Sequence, residues 1–252
     1  MTILAVLSIF QPFVDLAEAI IKFFEENVGL SWGWSIVALT LTVRLLVLPL
    51  SIRGIKSMRR MQLVAPELKA IQAKYKDDRE RQQREMLALY KKHGVNPLAS
   101  CFPFLLQIPF FIAVYSLLRS STFSDDVISS GASQSFFFVQ SIIEVPEGAE
   151  KWVLIVLFVV TTALSFIYTT ATTQTTMGAQ RYLLLAFPLL FAPIVASQPA
   201  GLAVYWITTN IWSLGQQIVV QKLIPAPPPR TPEEVVAAKP PPPPPRKRKK
   251  RK

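Results

Sequence analysis

Any chemistry in this chain has to be organised around Arg44. It is the only charged residue between Asn27 and Arg53, and Asn96 to Leu118, Trp152 to Gln180 and Tyr182 to Gln221 have no charge at all. A central arginine in a membrane helix costs roughly 2.5 to 3.5 kcal/mol on insertion scales, so it needs a partner or water. The uncharged stretches hold no Asp or Glu, which removes the usual partner and makes a hydrated cavity the leading reading. Thr40 lies one turn before Arg44, and Gln107, Tyr205, Trp206, Asn210, Gln216 and Gln217 are polar groups able to line such a cavity. A fixed cation in a wet cavity attracts anionic groups but makes or breaks no bond. Two plainer readings stand beside it: Arg44 snorkelling toward the interface, and the Gln, Asn and Thr side chains serving as hydrogen bonds between helices.

Other reactive groups are sparse. No glycine-rich phosphate loop is present, so nothing in the chain is equipped to hydrolyse ATP or GTP. His93 stands beside Gly94 with no Cys, Asp or Glu at metal-ligand spacing and reads as a lone surface histidine near a helix end. Cys101 is the single cysteine and cannot form an internal bridge. The expectation is a non-enzyme with no metal site and no cofactor.

The elements that would position Arg44 follow from composition. Of 252 residues 51% are apolar and 17% charged, against about 25% charged in an ordinary soluble domain. A span of about 30 Å needs roughly 20 apolar residues, which predicts spans at 32–52, 97–118 and 152–172. The last uncharged stretch is too long for one span, and the turn-forming Ser197 to Gly201 divides it into 183–196 and 202–221. Between them lie 1–31, 53–96, 119–151, 173–182 and 197–201, with a tail at 222–252. The reading is an all-α integral membrane protein with five transmembrane helices.

Charge asymmetry orients it. Residues 53–95 hold 12 basic and 5 acidic side chains and the tail 10 and 2, whereas 1–31 holds 1 and 4 and 119–151 holds 2 and 5. Cytoplasmic loops carry the Lys/Arg excess, so the N-terminus lies outside and the C-terminus in the cytoplasm. From Gln11 to Glu26 the charged Asp15, Glu18, Lys22, Glu25 and Glu26 oppose Phe13, Leu16, Ile20, Phe23 and Phe24, which predicts an amphipathic helix on the outer membrane face. Met1 to Phe13 has no basic residue before its apolar run and is expected to stay in the mature chain.

On the cytoplasmic side, Lys56 to Tyr75 and Arg79 to His93 predict an antiparallel helical hairpin with thin apolar stripes; Pro66 either opens a helix or lies within one. Eleven of 21 prolines lie beyond Ile224, and the chain closes with Arg246, Lys247, Arg248, Lys249, Lys250, Arg251 and Lys252. This describes an extended tether ending in a polycation, suited equally to ribosomal RNA and to anionic lipid.

These residues resemble the YidC-type membrane protein insertases, the family that includes the mitochondrial and chloroplast inner-membrane insertases. Thr42, Val43 and Arg44 through Pro49 and Leu50, then a Met-rich basic helix with Ala65, Pro66 and Glu67, is similar to its first core span and hairpin. Met86, Ala88, Leu89 and Tyr90 leading to Asn96, Pro97, Leu98, Cys101, Pro103, Gln107 and Pro109 resembles its most specific signature. Pro199 to Leu202, Tyr205, Trp206, Asn210, Gln216 and Gln217 resemble its last span.

The resemblance implies a five-helix core of the short form, in a bacterial plasma membrane, with a water-filled groove carrying Arg44. Thr40 and Trp206 would face the passing substrate, and the third and fifth spans would form an apolar exit surface. It implies nascent membrane proteins as substrates and the ribosome, membrane lipid, the Sec channel and the signal-recognition machinery as partners. A competing class is a small secondary transporter or channel in which Arg44 binds an anion; such folds show repeats and paired broken helices, and the hairpin occurs once. A third is a passive scaffold recruiting ribosomes by its tail, for which Arg44 would be needless.

Overall fold

The computed structural model describes residues 9–94, 98–173 and 179–223. The expectations for Arg246 to Lys252, for Asn96 and Pro97, and for the first eight residues lie outside the described residues. Among these the chain is helical, with one isolated bridge between Phe136 and Val139. The helices are α1 (Gln11–Glu26), α2 (Trp32–Leu46), α3 (Leu48–Lys74), α4 (Arg79–Lys92), α5 (Leu98–Leu118), α6 (Ser121–Ser129), α7 (Gly148–Thr173), α8 (Ala179–Val195) and α9 (Ala200–Leu223).

The stretch expected as one span over 32–52 is bent at a break between two helices. α2 stops at Leu46, and Leu48–Ser57 leaves it at 57°. Pro49 explains the break: it has no N–H for the Leu45 carbonyl, and its ring opposes that carbonyl, so it is accepted in the first turn of a new helix instead. α3 then runs unbroken from Leu48 through Pro66 to Lys74, so the hairpin helix begins well before Lys56. By length and composition, Gly148–Thr169 is long and apolar enough to cross a membrane (mean hydropathy 2.2), and the bent pair passes as a unit. Gln107–Leu118 and Ala186–Val195 are shorter apolar helices. α9 falls short on apolarity because Thr208, Thr209, Asn210, Gln216, Gln217 and Gln221 interrupt it.

One core joins the helices. α9 packs on α2 and α7, α8 on α7, and α3 on α5. Trp32, Ile36, Leu117, Leu118, Phe123, Val127, Ile142 and Leu202 are fully buried within it. The segment between α5 and α7 is structured, which its sequence did not suggest. It supplies α6, and its carbonyls satisfy helix starts that would otherwise lack partners: Ala200 N–H donates to Glu144 O and Gly201 N–H to Ile142 O, both at 2.8 Å. Trp32 Nε1 donates to Ser130 Oγ at 3.0 Å. Gly201 is there because a Cβ would lie 2.9 Å from the Ile142 carbonyl oxygen and from Ile36 Cδ1.

α1 differs from the expected surface helix. Its buried side chains are Ala17 and Ile21, with Phe13, Val14 and Ile20 leaning on the core, whereas Leu16 and Phe23 are exposed. The stripe at 13, 14, 17, 20 and 21 turns toward protein, and α1 lies between α2 and α5, packed on both. Lys22 Nζ sits 2.8 Å from Glu18 and 2.7 Å from Asp126 of α6. The Asp126 and Glu18 hydrogen bonds hold the lysine pKa above its ordinary value. A raised lysine pKa contributes stability below the unfolded value and loses it only as pH rises through the folded one, so this tie persists throughout the neutral range.

The hairpin has its own small core of Val64, Leu68 and Leu89, flanked by Met61, Ile71, Met86 and Tyr90. Burial pushes the Tyr90 phenol up. Asp78 caps α4 by accepting from Arg81 N–H at 3.0 Å. His93 is not the lone surface residue its sequence suggested: its Nε2 is 3.4 Å from Glu67 Oε2, and the two side chains are 15% and 12% exposed. Spacing in sequence could not reveal this, because the partners sit on different helices.

Gly201→Val should lower the thermal unfolding midpoint in detergent, by about 1–3 kcal/mol of overpacking against a backbone carbonyl that cannot move aside. An unchanged midpoint would contradict the close packing of α9 on the segment between α5 and α7.

Candidate functional site

Because the helix breaks at Val47, Arg44 falls in the last turn of α2, not in the middle of a straight span. That placement has a physical consequence the sequence did not disclose. The carbonyl end of a helix carries about half a negative charge and favours a cation by about 0.3–1 kcal/mol, up to ~2 kcal/mol where partly buried. The guanidinium is half-buried, and no Asp or Glu lies within ion-pair distance of it among the described residues.

Arg44 borders a cavity of about 20 Å³, space for about one water molecule. Its walls come from α1 (Ala17), α2 (Leu39, Thr40, Val43, Arg44), the bend and α3 (Val47, Ser51), α5 (Gln107, Phe110, Val114) and α9 (Tyr205, Thr209). Gln107 Nε2 donates to the Tyr205 hydroxyl, joining α5 to α9 across the cavity. Thr40 is buried and turns its hydroxyl back to the Ile36 carbonyl at 2.8 Å, which leaves the oxygen lone pairs to the cavity. A cation, an amide, a phenol and hydroxyls around a water-sized space can hold an anionic or strongly polar group.

The structure thus brings together Arg44, Thr40, Gln107 and Tyr205, and sets Trp206, Asn210 and Gln216 off the cavity wall. Trp206 centres an aromatic knot, stacked on Phe111 at 5.3 Å with Phe158 at 5.7 Å and Phe191 at 5.5 Å, which ties α9 to α5, α7 and α8. Asn210 Nδ2 donates to Thr162 Oγ1 at 2.7 Å, and the Asn210 backbone carbonyl accepts from Ser165 Oγ at 3.2 Å. Gln216 Oε1 accepts from Trp212 Nε1 on its own helix. Further along, Thr169 donates to Gln217 and Tyr168 to Gln221, at 2.8 and 2.7 Å. Apart from Gln216, these groups stitch α7 to α9, the use that polar residues on apolar helices most often have. Sequence reading missed Ala17, Ser51 and Thr209. The 13–17–20 spacing in α1 carried a signal for Ala17; nothing pointed to Ser51, which reaches the cavity only because of the bend.

Similarity to known proteins extends over most of the chain. Residues 23–227 match the 60Kd inner membrane protein family. "Membrane protein insertase YidC" of Streptomyces avermitilis is 35% identical over 234 residues, covering 82% of this chain and 55% of that protein. The protein of the same name from Helicobacter pylori is 34% identical over 207 residues, covering 81% and 35%. A crystal structure described as an active YidC insertase with its first transmembrane domain resolved aligns with a TM-score of 0.59 at 27% identity, covering 83% of this chain and 45% of that one. The chain therefore spans about half, or less, of the length of these relatives.

Asn210→Leu should lower the unfolding midpoint, by about 0.6–2 kcal/mol for hydrogen bonds between membrane helices. Reaction of a Thr40→Cys probe with a small thiol reagent should be unchanged by it. A changed probe reactivity with an unchanged midpoint would return Asn210 to the cavity.

Proposed function

This chain belongs to the 60Kd inner membrane protein family, the YidC insertases, and on that premise we propose that it delivers hydrophobic segments of nascent proteins into the bilayer past Arg44. The observation that carries the reading is half-buried Arg44 on a small, mostly apolar cavity edged by Thr40, Gln107 and Tyr205, with no carboxylate within ion-pair distance among the described residues. A structural arginine would be paired. An unpaired one is free to attract the acidic, outward-bound tail of an incoming segment.

In this mechanism the tail is drawn to Arg44, where Gln107, Tyr205 and Thr40 replace part of its hydration. The apolar segment behind it then moves sideways into lipid, driven by its own transfer free energy. The exposed apolar side chains Val156, Val160, Leu164 and Ile167 of α7 offer the surface along which it leaves. No bond is made or broken, so the activity is translocation without nucleotide hydrolysis. Trp206, Asn210 and Gln216 support the cavity by fixing its wall.

The proposed arrangement has five spans, over 32–52, 97–118, 152–172, 183–196 and 202–221, the first bent at Val47. Both basic segments, 53–96 and 222–252, lie in the cytoplasm, and 1–31 and 119–151 lie outside. The tail's terminal cations would bind ribosomal RNA, keeping the exit of the nascent chain near the cavity, with the Sec channel and signal-recognition machinery as further partners.

Arg44→Ala should leave the fold as stable or slightly more so, and reduce insertion of substrates with acidic outer tails about tenfold while changing neutral ones little. Arg44→Lys should keep part of the activity, since a point charge remains without the guanidinium fork. Equal losses for acidic and neutral substrates in reconstituted vesicles would refute the electrostatic role. Deleting Arg230 to Lys252 should weaken ribosome pelleting with a steep salt dependence, about −0.7 to −0.9 in log–log slope for each phosphate that the tail neutralises. Identical salt curves for full-length and truncated protein would eliminate the ribosome handle and leave anionic lipid as the tail's partner.

A further inference from the structure

The cavity beside Arg44 holds about one water, whereas a helix is roughly 10 Å across. A substrate helix cannot pass unless one of the walls moves, so the walls must be compared by what holds them. α9 is fixed at its start by the Glu144 and Ile142 carbonyls, along its length by hydrogen bonds to α7, and at Tyr205 by Gln107 of α5. α2 is continuous with the bend and packs directly on α9.

α1 is held differently. Its contacts with α2 and α5 are apolar, as in the edge-to-face pair of Phe13 with Phe110 at 5.7 Å. Among the described residues its polar tie to the rest of the molecule is the ion pair of Lys22 with Asp126, whose side chains are 33% and 37% exposed. Pairs this exposed contribute little, about 0–1 kcal/mol. α1 also has the chemistry of the proposed cargo: 16 residues, an apolar face with small Ala17 set against the Arg44 cavity, and acidic Glu25 and Glu26 at the end nearest α2.

We propose that α1 is a displaceable occupant of the substrate groove, a built-in stand-in for an entering helix that must leave its seat between α2 and α5 before cargo can pass Arg44. The inference rests on the insertase reading above. The seat then defines the preferred cargo, a helix-forming segment with a small residue facing Arg44, aliphatic or aromatic residues one turn to either side, and acidic residues on its outer flank.

The test is to lock α1 in place. In a Cys101→Ser background, Lys22→Cys and Asp126→Cys are joined by a reducible bis-methanethiosulfonate linker of ion-pair length, and insertion of a model substrate is measured in vesicles before and after reduction. Locked protein should insert at least tenfold more slowly, and the same molecules should recover on reduction, which excludes misfolding as the cause. The unlinked double-cysteine protein should insert at least as fast as the Cys101→Ser parent, because the tie is gone. Locked protein inserting at the unlinked rate would overturn the displacement of α1 while leaving the insertase reading intact. A parent protein that inserts nothing would instead overturn the insertase reading, and this inference with it.

Discussion

A guanidinium with no carboxylate within ion-pair distance among the described residues is the constraint on which the rest of this molecule turns. The charge cannot be left in hydrocarbon, and the spans offer no acid to cancel it. What the fold supplies is a set of partial compensations: the carbonyl end of α2, a water-sized space, and the phenol, amide and hydroxyls of Tyr205, Gln107 and Thr40. Each is weaker than an ion pair. Together they compensate the buried cation only in part.

This arrangement depends on one proline. Pro49 ends the helical ladder at Val47, which moves Arg44 from mid-helix to a helix end and swings Ser51 into the cavity. The 57° turn also starts the long helix that carries the hairpin, so the cavity and the hairpin share one joint. The opposite side is built for rigidity. The segment between α5 and α7 satisfies the starts of α2 and α9, the Trp206 knot gathers α5, α7, α8 and α9, and hydrogen bonds join α7 to α9 along their length. α1, by contrast, meets α2 and α5 through apolar packing and α6 through one exposed ion pair.

Helix content and the absence of an acidic neighbour for Arg44 were legible in the sequence because both follow from where charges are missing, a signal that needs no tertiary information. Gln107 and Tyr205 were legible as polar groups in apolar stretches for the same reason. Asn210, Gln216 and Trp206 carried the same signal, but Asn210 and Trp206 meet other helices and Gln216 meets Trp212 on its own helix; which neighbour a polar side chain meets is a matter of helix rotation. The period of α1 supported two overlapping stripes, and only packing distinguishes Ala17 and Ile21 from Leu16 and Phe23. His93 met Glu67 through the hairpin's pairing, which local spacing does not encode.

The central claim is that a nascent hydrophobic segment passes beside Arg44. Site-specific photocrosslinking tests it most directly: a photoreactive amino acid replaces Thr40 on the cavity wall, or Leu189 on the exposed face of α8 as a lipid-side reference, and ribosomes carrying a stalled membrane-protein chain are added. Position 40 should crosslink the chain at lengths that place its first apolar segment and acidic tail outside the ribosome, and not when the tail is still enclosed. Crosslinks at position 189 with none at position 40, at any chain length, would contradict passage beside Arg44.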